Sequence, residues 1–261
     1  MTGQTTVADR QIPQDRDAMT SPTATMIGAS ANRFLSPVGQ VVQSEVCGQV
    51  IRFTITNAID VIQRSHLNGV FYEPDELAII GQWFKPGSVF CDIGANIGNH
   101  SIFALKLLNA SQSILFEPNP VAIEVLTSNM HLNGLSKLAD MSFLGLGLSD
   151  TAASGLSIRA RKRNIGAGRL TEGGGDIRTI LGDEALFDRQ VDFIKMDIEG
   201  MELRALAGLS ATIARCRPMM FIEVDNANNA GFMDWVAASG YRVETSFQRY
   251  ASNVNYLVGP A

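Results

Sequence analysis

Hydrophobic positions along this chain change period from segment to segment, and the changes divide it into elements. Residues 41–46 (VVQSEV) and 49–56 (QVIRFTIT) alternate crudely around Cys47 and Gly48, which predicts a small β-hairpin. Pro74 opens a helical stretch, PDELAIIGQWF, with Leu77, Ile80 and Phe84 on one face; Lys85-Pro86-Gly87 stops it. Beyond it, short apolar runs alternate with amphipathic ones. SVFCDIG, SILFEP, MSFLGLGLS, VDFIKMD and PMMFIEV read as five strands. HSIFALKLL, VAIEVLTSNMHLN, GMELRALAGLSATIARC and AGFMDWVAAS read as helices, the second capped by Asn119-Pro120 and ended by Gly134. YRVETSF and NVNYLVG close the chain as a hairpin through RYASN.

Strand–helix alternation predicts an α/β fold: a three-layer, Rossmann-like sandwich around one mostly parallel sheet. The closing hairpin should add an antiparallel last strand at one edge. Residues 1–32 lack an apolar period and read as a disordered tail. Residues 33–72 form an N-terminal β-hairpin extension, and 73–261 the main domain. Residues 151–182, rich in Gly and Arg, fit the alternation worst and look like an insertion.

With 261 residues, 46% hydrophobic, the chain can bury one sizeable core. Its net charge of −5 argues against general nucleic-acid binding. Arg159, Arg161, Lys162, Arg163, Arg169 and Arg178 are a local exception, able to steer an anionic acceptor or simply to form a solvated face. Cys47, Cys91 and Cys216 are scattered, odd in number and without metal-site spacing. No apolar run reaches a membrane span, and the N-terminus lacks the apolar stretch of a signal peptide. A cytoplasmic protein is the expectation.

Asp92-Ile93-Gly94-Ala95-Asn96-Ile97-Gly98 sits where a strand gives way to a helix, the edge at which open α/β sheets bind ligands. Glycines at 94 and 98 let the backbone turn and approach a ligand, and the helix starting near Asn99 offers free N–H groups. The spacing differs from the dinucleotide pattern G-x-G-x-x-G. Asp92 would repel a pyrophosphate, yet it could balance the ammonium and sulfonium of S-adenosylmethionine. Glu117, 19 residues beyond Gly98, ends the next strand, where a carboxylate can accept from both ribose hydroxyls.

VFCDIGANIGNHS, LFEPNP, SNMHLNGL, LSD and FIKMDIEGMELRALAGL, in that order and spacing, resemble the FkbM family of methyltransferases, from about Tyr72-Glu73-Pro74 to Glu223. The resemblance implies a class I methyltransferase fold with a seven-stranded sheet. It implies S-adenosylmethionine as donor and O-methylation of a hydroxyl on a sugar, polysaccharide or secondary metabolite. By position, Asp92, Gly94, Ala95, Asn96, Gly98 and Asn99 would hold the methionine end. Glu117, Pro118 and Asn119 would hold the ribose, and Gly147, Leu148 and Asp150 would border the adenine. Glu73 could cap the donor, or be a first-turn acid favoured by the helix dipole. RTILGDEAL blurs the Leu-Asp pair that the family often shows before its fourth strand.

Methyl transfer to an alcohol needs in-line positioning and a base or metal to remove a proton. Asp197, at the fourth strand tip, and Glu199 are candidates for base or metal ligand; Glu199 could equally cap the following helix. His100 could act as a base or merely cover the donor. A likeness to catechol-type methyltransferases makes Asp197, Asp225 and Asn226 candidate oxygen ligands for Mg²⁺, with ordinary loop acids as the alternative. The acceptor expected is a glycan or small molecule. Two other readings stay open: RNA or protein methylation, and a non-catalytic S-adenosylmethionine-binding module.

Overall fold

The structure, a computed structural model, describes residues 32–35, 38–161, 164–171 and 173–261. The expected tail therefore lies outside the described residues except for Asn32.

The N-terminal part is a three-stranded antiparallel sheet, β1 (Asn32–Leu35), β2 (Gln40–Val46) and β3 (Gln49–Ile55), in that order. Cys47 and Gly48 both take positive φ, 50° and 73°, so the β2–β3 turn has the twist that suits a two-residue hairpin. Two helices follow, α1 (Val61–Leu67) and α2 (Pro74–Trp83). The periodicity of the sequence does not predict α1, because its two turns are too short to show one. Its start is set by Asp60, whose carboxylate accepts from the N–H groups of Ile62 and Gln63. In α2, Leu77 and Ile80 are fully buried, and Phe84 closes the same apolar face.

The main sheet begins with β4 (Val89–Ile93), α3 (Asn99–Leu107), β5 (Gln112–Glu117), α4 (Pro120–Leu132) and β6 (Ala139–Leu144). The chain then leaves it. β7 (Leu146–Ser149), β8 (Ala153–Arg161), β9 (Asn164–Thr171) and β10 (Ile177–Leu181) make a second sheet of order β7-β10-β8-β9. It returns through α5 (Gly182–Ala185), β11 (Phe193–Met196), α6 (Glu202–Gly208), α7 (Ser210–Cys216), β12 (Met219–Asp225), α8 (Asn229–Ser239), β13 (Tyr241–Phe247) and β14 (Asn253–Pro260). The seven strands run in the order β13-β14-β12-β11-β4-β5-β6. From β12 to β6 every pairing is parallel, and β14 is antiparallel to both its neighbours. This is the mostly parallel, Rossmann-like sheet with an antiparallel last strand that the alternation predicts.

Three details correct the sequence reading. The last strand is not at the edge: β14 lies between β12 and β13, because Leu257 and Val258 are both fully buried and need cover on two faces. The half-polar β13 takes the outer place. MSFLGLGLS is not one strand; Gly145, at φ 88°, breaks it into β6 and β7 in different sheets. The expected single helix over 200–216 divides at Leu209 into α6 and α7, where Gly208 lets the Ser149 carbonyl come so close that a Cβ would sit 2.1 Å from its oxygen.

Side chains alternate across the sheet with period two. Phe90, Leu115, Phe193, Phe221 and Leu257 enter one apolar cluster with α2, α3 and the N-terminal strands. Cys91, Ile114, Ile194, Met220 and Val258 enter another with α6, α7 and α8. Asp92, Glu117, Lys195, Asp197 and Glu223 keep step with the first set. The same alternation that builds the core thus gathers the polar residues at the C-terminal tips of β4, β5, β11 and β12.

Candidate active site

The β4–α3 loop is held from both sides. Gly94 and Ala95 donate their N–H groups to the Phe116 carbonyl at 2.9 and 3.0 Å, and the Gly94 carbonyl accepts from Lys195 Nζ at 2.9 Å. Gly94 takes φ 81°, and a Cβ there would stand 2.0 Å from the Asp197 carbonyl oxygen, so no other residue fits. Gly98, at φ 87°, precedes α3 as its N-cap.

Glu117 is buried at the mouth of this loop. Its Oε2 accepts from Asn96 N–H and its Oε1 from Asn119 N–H, both at 2.7 Å. Two backbone donors lock the carboxylate plane, and each oxygen keeps a lone pair for a further donor. Burial pushes its pKa up to about 7 despite these bonds. Asn96 is itself left-handed, φ 49°, and its buried Oδ1 has no hydrogen-bond partner among the described residues.

An open cleft lies against Glu117. Gly94, Pro118 and Asn119 line it with Glu117 on one side, and Gly147 and Leu148 on another. Asp197, Ile198, Glu199 and Met201 complete its far end. Ile158 and Gly168, from the inserted strands, also wall it, so the insertion contributes to the site. The sequence carried no signal for those two residues, since neither is chemically distinctive.

Several expected donor contacts turn elsewhere. Asp92 is wholly buried: Ser101 Oγ donates to its Oδ2 at 2.6 Å, and Lys195 Nζ lies 3.6 Å from its Oδ1. It sits beneath the loop, in register with Lys195, and faces that ammonium instead of the cleft. Asn99 Oδ1 accepts from His66 Nε2 and from Tyr72 N–H, and its Nδ2 donates to the Tyr72 carbonyl, so it clamps the N-terminal segment. Asp150 is outside the cleft, paired with Arg204 at 2.8 Å on the surface. Of the six basic residues of the insertion, Arg178 is exposed; Lys162, Arg163 and the side chains of Arg159, Arg161 and Arg169 lie outside the described residues.

At the far end four carboxylates approach one another. Oxygens of Asp197, Glu199 and Glu223 lie within 4.8 Å of one another. Glu223 replaces the expected Asp225 and Asn226. Asp225 accepts from Ala227 N–H at 3.0 Å, and Asn226 Nδ2 donates to the Ala251 carbonyl. Register explains the difference, for Met196 pairs with Ile222 and the next residues are Asp197 and Glu223. Glu199, at φ 46°, stands two residues before Met201, the N-cap residue of α6, and Glu202 accepts from Gly200 N–H. Burial, then Asp197, Glu73 and Glu199, push Glu223 up to about 10.

Glu73 is the fourth acid, brought by the start of α2. Its Oε2 lies 3.6 Å from His100 Nε2, and its side chain is 13% exposed. Burial, then the charges of Asp197 and Glu76, push it up to about 8. Burial and Lys195 hold the His100 imidazole well below its ordinary range, so it is neutral. Burial pulls on Lys195 as well, but Asp92, Asp197, Glu73 and Glu223 outweigh it and keep the amine protonated. Sequence alone did not single out Lys195 or Glu223.

A strand order with the antiparallel strand next to the outermost, and an open cleft at the tips of β4 and β5, define a methyltransferase-type sheet. Residues 92–243, more than half of the chain, match the methyltransferase FkbM domain. The chain belongs to that family. No curated protein matches it. Among solved structures it is similar to the methyltransferase FkbM of Methylobacillus flagellatus, with 18% identity over 67% of this chain and 44% of that one and a TM-score of 0.47. The chain thus spans less than half the length of that protein. A putative tRNA (m1A22) methyltransferase of Streptococcus pneumoniae is similar at 13% identity, over 71% of this chain and 68% of that one, TM-score 0.48. The ribosomal protein L11 methylase of Lactobacillus delbrueckii is similar at 16%, over 73% and 80%, TM-score 0.47.

Proposed function

We propose that this protein is an S-adenosylmethionine-dependent O-methyltransferase that methylates a hydroxyl of a sugar, polysaccharide or secondary metabolite. The observation that carries the reading is the Glu117 carboxylate, fixed by two backbone N–H groups with its free lone pairs at the cleft mouth. A ribose diol offers the two donors that such an acceptor pair asks for. Gly147 and Leu148 supply the flat, apolar wall that suits an adenine, with Ile158 of the insertion adding apolar cover. The unpartnered Oδ1 of Asn96 and the N-terminus of α3 are the groups that would meet the methionine end.

When bound, S-adenosylmethionine supplies a methyl on a cationic sulfur that leaves as a neutral thioether. The protein's own work is then to position the acceptor and to accept its proton. Glu117 orients the ribose, the apolar wall excludes water, and the acids around Asp197 stand where the acceptor must approach. Asp197, Glu199 and Glu223 also have the oxygen character that Mg²⁺ uses, and a chelator decides whether the cation takes part. Among the described residues no helix is long and apolar enough to cross a membrane. The free thiols of Cys91 and Cys216 suit a reducing compartment, and we assign the protein to the cytoplasm.

Calorimetry with S-adenosylmethionine, followed by transfer of a labelled methyl to a panel of sugars and glycans, tests the reading. Binding and label in a hydroxyl support it. Binding without transfer to anything leaves a donor-binding module, and label in RNA or protein moves the acceptor class. No binding overturns it.

A further inference from the structure

We propose that the β8–β9 hairpin recognises the nucleobase of the donor, and that Ile158 and Gly168 are the residues that select a purine there. The inference rests on the methyl-transfer reading above and deepens it, by assigning the choice of base to a segment outside the main sheet.

The path of the chain brings the hairpin to the cleft. Beyond β6, Gly145 turns at φ 88° and β7 pairs with β10 in the second sheet. There β8 is bonded on both sides, to β10 and to β9, while β9 is the outermost strand and pairs with β8. β9 in turn lies against α4 of the main domain. The two anchor points belong to different sides of the cleft. β7 carries Gly147 and Leu148, and α4 begins at Pro120, directly after Pro118 and Asn119. The second sheet therefore starts from one side of the cleft and reaches the other with β9, and its last two strands wall the space between.

Each strand of the hairpin brings one residue to that wall, Ile158 from β8 and Gly168 from β9, both partly buried. Neither side chain bears a donor, an acceptor or a charge, so a ribose diol or an amino-acid end gains nothing from them. In the reading above those groups meet Glu117 and the β4–α3 loop. An apolar branched side chain beside bare backbone suits the face of an aromatic ring instead. Gly168 has no Cβ, so a ring can lie against its peptide. A glycine inside a strand weakens the strand, and close approach of a ligand or of another backbone is a common return. The pairing points the same way. β8 and β9 keep a regular register from Ser157 opposite Thr171 to Arg159 opposite Arg169, and it shifts just beyond, where Gly168 stands. Such irregularities re-aim strands beside binding sites. Together with Gly147 and Leu148, the two residues surround a flat base with apolar surface. A purine offers two fused rings to that surface and a pyrimidine one, so the slot discriminates by the area it covers.

The test uses the full chain with Ile158→Ala and Gly168→Val. Adenosine and uridine are each titrated against labelled S-adenosylmethionine on the wild type and both variants. The two nucleosides share the ribose diol, so the Glu117 contact cancels in the ratio of their affinities and the base contact stays. The wild type should prefer adenosine by about tenfold or more. Ile158→Ala should lower S-adenosylmethionine affinity about tenfold and cut the adenosine preference about fivefold. Gly168→Val, which puts a branched side chain where the ring would lie, should cut the preference at least as far. Gly168→Ala, a smaller step in the same direction, serves if the Val variant does not fold. Glu117→Ala should weaken both nucleosides alike and leave the ratio standing. A ratio within twofold of wild type in either folded variant, or a wild type indifferent to the base, overturns the inference while donor binding stands. A ratio that moves as far in Glu117→Ala also overturns it, by showing that any damage to the cleft has this effect. If the wild type does not bind S-adenosylmethionine, the methyl-transfer reading itself falls, and the inference with it.

Discussion

Asn99 and Tyr72 exchange a pair of hydrogen bonds, side-chain Oδ1 accepting from the Tyr72 N–H at 2.9 Å and Nδ2 donating to its carbonyl at 3.0 Å. Because Tyr72 fixes which end of the amide is oxygen, His66 Nε2, 2.9 Å from the same Oδ1, must be the donor. The His66 ring stacks on Phe53 at 3.6 Å, and burial lowers its pKa to about 4. One amide therefore ties β3, α1 and the entrance of α2 to the first turn of the donor loop's helix.

Asn99→Ala should unfold this junction. It leaves the buried His66 and Tyr72 N–H donors without an acceptor, at about 1–3 kcal/mol each. We expect a fall of about 2–4 kcal/mol in unfolding free energy, read as a lower urea midpoint at unchanged slope. A loss under 0.5 kcal/mol would show that the segment is held by apolar packing alone.

How much of this was legible in sequence follows from the range of each signal. The strands and helices of the main sheet were readable because their periods run over whole elements, and DIGANIG because a turn with two positive-φ glycines has few alternatives. Glu117 was reachable by counting from that turn. Asn99 and Asp92 were misjudged for one reason: nearness to a ligand loop in sequence does not say which way a side chain points, and both point into the fold. Asp225 and Asn226 failed by a register step. Had the apolar runs of β11 and β12 been aligned, Glu223 would have fallen opposite Asp197. The clamp on Tyr72 depends on α1, whose seven residues carry too little periodicity to be seen.

Glu117→Ala should weaken S-adenosylmethionine binding by about 100-fold, the loss of two charge-assisted hydrogen bonds at about 1.5 kcal/mol each. Calorimetry measures it. The wild-type affinity should itself fall as pH drops below about 7, where Glu117 takes up a proton in the free protein and one oxygen ceases to be a pure acceptor. Affinity that is flat between pH 6 and 8 would count against the diol contact.

Stability should respond to Glu73 in the opposite sense from most carboxylates. Its folded pKa, about 8, lies above the ordinary 4.5, so the native state keeps a proton that the unfolded chain releases. The native state therefore loses stability as pH rises from about 4.5 to about 8. Glu73→Gln removes that loss. We expect the variant to melt higher than wild type at pH 8.5 and close to it at pH 4.5, by thermal unfolding at both. Equal gaps at the two pH values would mean that the carboxyl is not raised.

Lys195 and Asp92 are register partners on β11 and β4, 5% and 0% exposed, and each has the other as its nearest opposite charge, at 3.6 Å. Lys195→Met should cost about 3–5 kcal/mol, because it leaves the Asp92 charge in the core with Ser101 as its hydrogen-bond donor and takes the ammonium from the Gly94 carbonyl. Burial already raises Asp92 with the lysine present, so the variant's deficit should shrink as pH falls and the acid is protonated. Asp92→Asn removes the charge while keeping the shape. Combined with Lys195→Met it should be less damaging than the two losses added, by about 1–3 kcal/mol of coupling. Urea unfolding of the four proteins gives this number. Strict additivity would mean that the lysine serves the loop carbonyl and Asp197, and that Asp92 is held by Ser101.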